Sequence, residues 1–304
     1  MLLHGIHHYT AVTANGPANA AFYGGVLGLR LVKKTVNFDD PGAYHLYYGD
    51  AVGSPGTALT FFEYPGARRG QPGAGMIDRL DWSVPDRAAL DWWQAQLVGQ
   101  AETEREDDAL VIRDPEGLVL RLVPDAQALS LPHAEAPHVP AAVALRRMTG
   151  VRARTTDPSR SAASLEALGF VADGPGRWRT GTGVRSAAYE LIAVDEGPGL
   201  AGAGTAHHVA WASLDSEHDD WRARAAQAQL RPTPVIDRDY FHAIYFREPS
   251  GVLFEVATDG PGFDVDEPRA ELGRSLRIPA QHAHLQALLE QRLTPIPDPW
   301  EQHR

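Results

Sequence analysis

Two pairs of adjacent histidines, His7-His8 and His207-His208, and one carboxylate set in an apolar run, Glu255, are the residues of this chain best suited to chemistry. Two imidazoles and one carboxylate that leave coordination positions open make the facial triad suited to non-haem Fe(II). Glu255 stands between Phe254 and Val256. A carboxylate buried there without a partner costs several kcal/mol, so it must be paired or hold a cation. Successive side chains of a strand point to opposite faces, so each histidine pair is expected to offer one ring to any given face. Either pair alone is compatible with ordinary strand hydrogen bonds in a chain with 13 histidines. Their matching places in an internal repeat, with a carboxylate to close the set, favour a metal.

The elements that must position these groups are legible from the same residues. Phe241 to Thr258 reads as two strands around a Pro249-Ser250-Gly251 turn, because aromatic and β-branched residues flank it. A turn centred on Ser250 places Tyr245 across from Glu255, about 5 Å away and on its face. A turn of even length would shift that register by one.

The pattern recurs along the chain. Arg113-Asp114-Pro115-Glu116-Gly117 before Leu118 to Leu122 mirrors the turn at Ser250, and Arg121 stands where Glu255 does. Trp82 to Asp86 and Trp92 align without gaps on Trp211 to Asp215 and Trp221, which sets Asp78 and Arg79 opposite His207 and His208. A first copy runs from a strand over Gly5 to Thr13, through a helix over Pro17 to Leu27 ended by Gly28, to strands that align Tyr44, His45 and Tyr48 with Phe241, His242 and Tyr245. A fainter copy has a strand over Arg152 to Thr155, a helix over Pro158 to Leu168 and a strand over Ala187 to Val194. The chain is therefore read as α+β, with four strand–helix–strands units near 1–64, 74–124, 146–195 and 204–259. The proline- and alanine-rich stretch 125–145 is read as a linker between an N-terminal domain, 1–124, and a C-terminal domain, 146–259. Residues 260–304 are read as a loop and a surface helix over Ala280 to Leu293. Asp78, Arg79 and Arg121 break the ligand pattern in unit two and unit three offers no histidine, so one metal site is expected. His45 and His242 are assigned to the shared architecture of the repeat.

Composition narrows the function classes. The 304 residues, 43% hydrophobic and 22% charged, are those of an ordinary folded protein with a sizeable core. No apolar run approaches the roughly 18 residues of a membrane helix. The opening Met1-Leu2-Leu3-His4 has neither the charged region nor the apolar core of a signal peptide, so a cytoplasmic location is expected. Zero cysteines exclude disulfides and thiolate chemistry. A net charge of −11 without a basic cluster speaks against nucleic acid as a partner.

The strings Gly5-Ile6-His7-His8-Tyr9-Thr10, Phe22-Tyr23, Leu27-Gly28-Leu29, Tyr44-His45-Leu46-Tyr47-Tyr48, Ala206-His207-His208 and Arg238 through Glu255 resemble the vicinal oxygen chelate superfamily. Within it they are most similar to the dioxygenases that open hydroquinone rings. The resemblance covers nearly the whole chain and implies four βαβββ modules paired into two domains. It implies His8, His208 and Glu255 as ligands of Fe(II), with Mn(II) as an alternative, and His7, Thr10, His207, Arg238 and Tyr245 around them. The partners it implies are a small aromatic substrate and O2, and a homo-oligomer is compatible with it. Bottom-up, Arg238 could equally form an ion pair with Asp237 or Asp239. Two other classes stay open: a glyoxalase-type lyase or isomerase, and a non-enzymatic protein that binds aromatic compounds. Glyoxalase-type sites take a carboxylate from each of two units, yet Thr60 matches Glu255 in unit one and Glu63 should face away.

Overall fold

The computed structural model describes residues 1–303. Unit one supplies β1 (Ile6–Thr13), β2 (Arg30–Val36), β3 (Tyr44–Gly49) and β4 (Ala58–Glu63). Unit two supplies β5 (Met76–Val84), β6 (Glu102–Glu106), β7 (Ala109–Arg113) and β8 (Val119–Pro124). Unit three supplies β9 (Met148–Thr155), β10 (Val171–Ala172), β11 (Arg177–Thr180) and β12 (Ala187–Ala193), and unit four β13 (Ala206–Ser213), β14 (Ile236–Asp237), β15 (Phe241–Arg247) and β16 (Leu253–Pro261). A short β17 (Leu276–Arg277) follows. In every unit the first strand pairs in parallel with the last, a connection that requires a crossover, and the helix supplies it.

Local chemistry explains where these helices begin and end. Asn15 accepts from the Ala18 N–H and opens the first, which runs over Gly16–Ala20 and continues as a π-helical turn over Ala21–Val26. Gly28, with φ of 71°, ends it in the left-handed conformation that glycine adopts without strain. Asp86 caps the unit-two helix Arg87–Gln96, whereas its counterpart Asp215 lies in a 3₁₀ turn ahead of the helix His218–Gln227. The expected helix over Ala280 to Leu293 is shorter: 3₁₀ turns over Ala280–Leu285 lead into an α-helix over Gln286–Arg292. Of Leu285, Leu288 and Leu289 only Leu289 is buried, so the apolar stripe is too narrow to seat a longer helix.

The strands form two sheets, ordered β14-β15-β16-β13-β1-β4-β3-β2-β17 and β10-β11-β12-β9-β5-β8-β7-β6. Antiparallel pairing of β1 with β13 joins unit one to unit four, and β5 with β9 joins unit two to unit three. Sheet pairing thus cuts across the division at the linker, which would group units one with two and three with four. The linker itself is packed: Ala128, Ala134, Ala136, Val139, Ala144 and Leu145 are buried. Beyond unit four the chain returns to unit one, where β17 pairs with β2 and fully buried Lys33 meets Asp266 and Glu267.

Tyr9, Phe61, Trp211 and Phe254 of the first sheet share one core with Trp82, Leu110 and Leu120 of the second. The opposite face of the first sheet carries a smaller cluster that includes Tyr47, Ala210, Tyr240, Phe241 and Ala243. Strand alternation sends His8 and Thr10 to that second face while Tyr9 and Ala11 enter the shared core. Among the described residues no helix is long and apolar enough to cross a membrane.

Candidate metal centre

Three adjacent central strands bring the predicted donors together. His8 on β1 lies opposite Ala210 on β13, and Ala210 lies beside Glu255 on β16, so the small Ala210 side chain leaves open the space into which the other two reach. His208 stands two residues before Ala210 on the same face of β13. The His8 and His208 Nε2 atoms are 3.2 Å apart, and Glu255 Oε2 lies 3.2 Å from the first and 2.9 Å from the second. His8, His208 and Glu255 are 2%, 4% and 0% exposed, and their donor atoms all fall within 4.8 Å of one another.

The donor set fits a cation. Among the described residues the Glu255 carboxylate has no partner other than these two ring nitrogens. Burial pushes its carboxyl up, but His8 and His208 beside it outweigh that and hold it well below the ordinary carboxylate value. Burial lowers His208, which favours release of its ring proton when a cation competes for that nitrogen. With Nε2 of both rings free of protons, two lone pairs and one negative charge would converge in a buried space that a positive ion can fill.

The neighbouring histidines do not point away, as strand alternation had led us to expect. His7 and His207 are the extra residues of two β-bulges, since β1 advances from Ile6 to His8 while β13 moves only from Trp211 to Ala210, and the reverse holds at His207. Each bulge turns the second ring against the first: His7 Nδ1 lies 2.8 Å from His8 Nδ1 and His207 Nδ1 lies 2.7 Å from His208 Nδ1. For Nε2 to carry a free lone pair, His8 and His208 must hold their protons on Nδ1 and donate them to these neighbours. Burial and the adjacent imidazole lower His7 and His207 to about 3, so each ring is neutral and keeps one nitrogen lone pair with which to accept.

Tyr245 is paired with Glu255 across the β15–β16 hairpin, the register that a turn centred on Ser250 requires. Burial first, then the Glu255 charge, raise its phenol well above the usual value, so it stays protonated. Arg238 Nε donates to the Tyr245 hydroxyl at 3.2 Å. Its outer nitrogens donate to Asp39 at 3.3 and 3.0 Å, rather than to Asp237 or Asp239. Asp39 belongs to unit one, and sequence spacing held no signal for it. Thr10 Oγ1 lies 2.9 Å from His208 Nε2 and 2.8 Å from Thr60 Oγ1. A cavity of about 480 Å³ opens over these groups, with Phe38, His45, Tyr47, Phe62, Arg238 and Tyr245 in its walls.

The structure corrects the assignment of His45. On β3 it is Tyr47 that faces Thr60, as Tyr245 faces Glu255, so the repeat aligns Tyr47 with Tyr245 and places His45 on the cavity side. Gapless alignment of Tyr48 with Tyr245 is one residue out, and Tyr48 points into the shared core.

Glu63 is buried at 3% exposure away from the cavity, with Oε1 accepting from the Gly16 N–H at 2.6 Å. Glu63→Gln keeps an acceptor for that N–H, so we expect unchanged metal content and a stability loss of at most about 1 kcal/mol. Metal analysis and thermal melts check this, and loss of metal would make Glu63 a fourth ligand. In the second sheet the matching positions are engaged by ions of the chain itself. Arg79 pairs with Asp81 and Glu190, Arg121 with Glu106, and Asp78 with Arg152 and Arg154.

Comparison with known proteins fits this geometry. A family model described as Glyoxalase/Bleomycin resistance protein/Dioxygenase superfamily matches residues 5–256. The chain belongs to this superfamily. It is 40% identical over 306 residues to MhqO of Bacillus subtilis, a candidate ring-cleaving dioxygenase by name, with 96% of each chain covered. It is 31% identical over 324 residues to a chlorohydroquinone/hydroquinone 1,2-dioxygenase of Sphingobium indicum, covering 97% of this chain and 96% of that one. A crystal structure from Bacillus subtilis, titled as a candidate dioxygenase, superposes with a TM-score of 0.88 at 37% identity, covering 97% of this chain and 98% of that one. The α+β architecture of βαβββ modules is thus the superfamily fold.

Proposed function

We propose that the protein is a ring-cleaving dioxygenase acting on hydroquinones or related phenols, with Fe(II), or alternatively Mn(II), held by His8, His208 and Glu255. One observation carries this reading: a buried donor set of two imidazoles and one carboxylate, with Thr60 where a second carboxylate would complete a glyoxalase-type site, forms the floor of an aromatic-walled cavity. The names of its relatives support it. A benzene-sized ring fills a cavity of about 150 Å³, so about 480 Å³ admits a substituted ring.

A bound Fe(II) would bring a phenolic oxygen and dioxygen side by side and provide the charge transfer that lets them react. The remaining work falls to side chains. His7 and His207 fix the tautomer and tilt of the two ligand rings through their Nδ1 contacts. Phe38, Phe62 and Phe241 wall the cavity and limit water around the reacting ring. Tyr245 presents a protonated hydroxyl to the region above Glu255, suited to donate to an oxygen that gains negative charge. Arg238, donating to that same hydroxyl, stabilises it as it gives up a proton.

The test is anaerobic loading with Fe(II), then oxygen uptake across hydroquinones and catechols. Stoichiometric O2 consumption with an acyclic product from at least one hydroquinone is expected. An iron-loaded, folded protein that takes up no oxygen with any of them would overturn the reading.

A further inference from the structure

Thr10 does not end in the site. Behind it runs an unbroken chain of short contacts through unit one: Thr10 Oγ1 to Thr60 Oγ1 at 2.8 Å, Thr60 Oγ1 to His45 Nε2 at 2.9 Å, and His45 Nδ1 to the Tyr47 hydroxyl at 2.7 Å. All four residues are buried, at 0% exposure for Thr10 and Thr60, 6% for His45 and 1% for Tyr47. Their alignment follows from the sheet, because Thr10 pairs with Thr60 across β1 and β4 and Thr60 with Tyr47 across β4 and β3.

We infer that Tyr47, His45 and Thr60 form a hydrogen-bond relay whose direction is set at its Tyr47 end, and that His45 acts through it as a positioning residue for the Thr10 hydroxyl. Two directions are open to such a chain. In one, Tyr47 donates to His45 Nδ1, His45 Nε2–H donates to Thr60, Thr60 donates to Thr10, and the Thr10 hydrogen is turned toward His208 Nε2 and the site. In the other, every donor is reversed: Thr10 donates away from the site, and the buried Tyr47 hydrogen is left without an acceptor. The Tyr47 hydroxyl, in the cavity wall, has one hydrogen-bond partner among the described residues, His45, so the second direction leaves its O–H without a protein acceptor. A buried donor without an acceptor is the costly outcome, and the first direction avoids it. The ionisation states agree. Burial lowers His45 well below the ordinary imidazole value and raises the Tyr47 phenol well above its own, so the ring is neutral and the phenol keeps its proton.

The relay gives the pseudo-symmetric halves of the site different tasks. In unit four the paired positions are Tyr245 and Glu255, and in unit one they are Tyr47 and Thr60. Unit four thus contributes a charged donor and unit one a directed, neutral hydroxyl. When a cation engages the His208 Nε2 lone pair, the Thr10 hydrogen is released from that nitrogen and can serve only another oxygen within the site.

The inference rests on the dioxygenase reading for its kinetic arm, so the first measurement needs no turnover. In metal-free protein, ¹⁵N NMR of labelled histidine is expected to show His45 as the Nε2–H tautomer; the Nδ1–H tautomer would overturn the relay. In iron-loaded protein, Thr10→Val and Thr60→Val are each expected to lower kcat about 10- to 100-fold, the range for outer-shell partners, without loss of iron. Thr60→Ser, which keeps the hydroxyl, is expected to restore most of the rate, and the double Val variant to be little slower than either single one, as members of one unit behave. Losses that multiply in the double variant, or a wild-type rate in Thr60→Val, would overturn the relay. Absence of ring cleavage in the wild type would instead strike the dioxygenase reading and leave the tautomer result standing.

Discussion

Glu255→Gln, His8→Ala and His208→Ala are each expected to abolish stoichiometric iron binding and, with it, oxygen uptake, in proteins that keep their fold. Each substitution removes one of three donors, and among the described residues no fourth ligand atom joins the group that converges within 4.8 Å. Loss of an outer-shell partner costs about 10- to 100-fold in metal affinity, so removal of a donor itself should exceed about 100-fold. Glu255→Gln is the most telling of the three, because it keeps the shape of the side chain and removes only the charge. The fold should tolerate it, since among the described residues the Glu255 carboxylate makes no hydrogen bond to the backbone. Iron analysis of the folded variants, with circular dichroism to establish folding, checks the set. Undiminished iron in any one of them removes that residue from it.

Iron-loaded Tyr245→Phe should turn over hydroquinone about 10²- to 10⁴-fold more slowly than the wild type, with iron content unchanged. The ring packs close to His208, at 6.0 Å between centroids, and Arg238 lies over its face at 5.2 Å. Those contacts survive the substitution, so only the hydroxyl is lost and packing is held constant. The effect should fall on kcat and kcat/KM together, because a proton donated to developing charge acts in the transition state and not on the bound ground state. A wild-type rate in Tyr245→Phe would reduce Tyr245 to a packing residue. The dioxygenase reading would survive without Tyr245 as its proton donor. His207→Gln is the companion variant, expected to lower the rate through the lost Nδ1 contact to His208.

Much of this protein was determined by its sequence alone. Turn residues, apolar alternation and the internal repeat sufficed for four strand–helix–strands units, because turn and strand signals act within a few residues of chain, and the resemblance supplied the βαβββ form. A turn centred on Ser250 sets Tyr245 opposite Glu255, since hairpin register is a local property, and the pairing of β15 with β16 has that register rather than the one an even-length turn would give. A carboxylate in an apolar strand announced itself, because burial of a lone charge is too costly to be incidental. Only the tertiary structure decided which units pair. All four present equivalent first strands, and nothing local distinguishes β1 with β13 from β1 with β5 as partners. The bulges at His7 and His207 belong to that long-range pairing, and they bring two rings together that alternation alone would separate. Asp39 reaches Arg238 across 199 residues of chain by the same closure. The relay behind Thr10 was likewise hidden, because it follows the register of β3 on β4 and β4 on β1, and a one-residue slip there exchanges Tyr47 for Tyr48 between the site and the core.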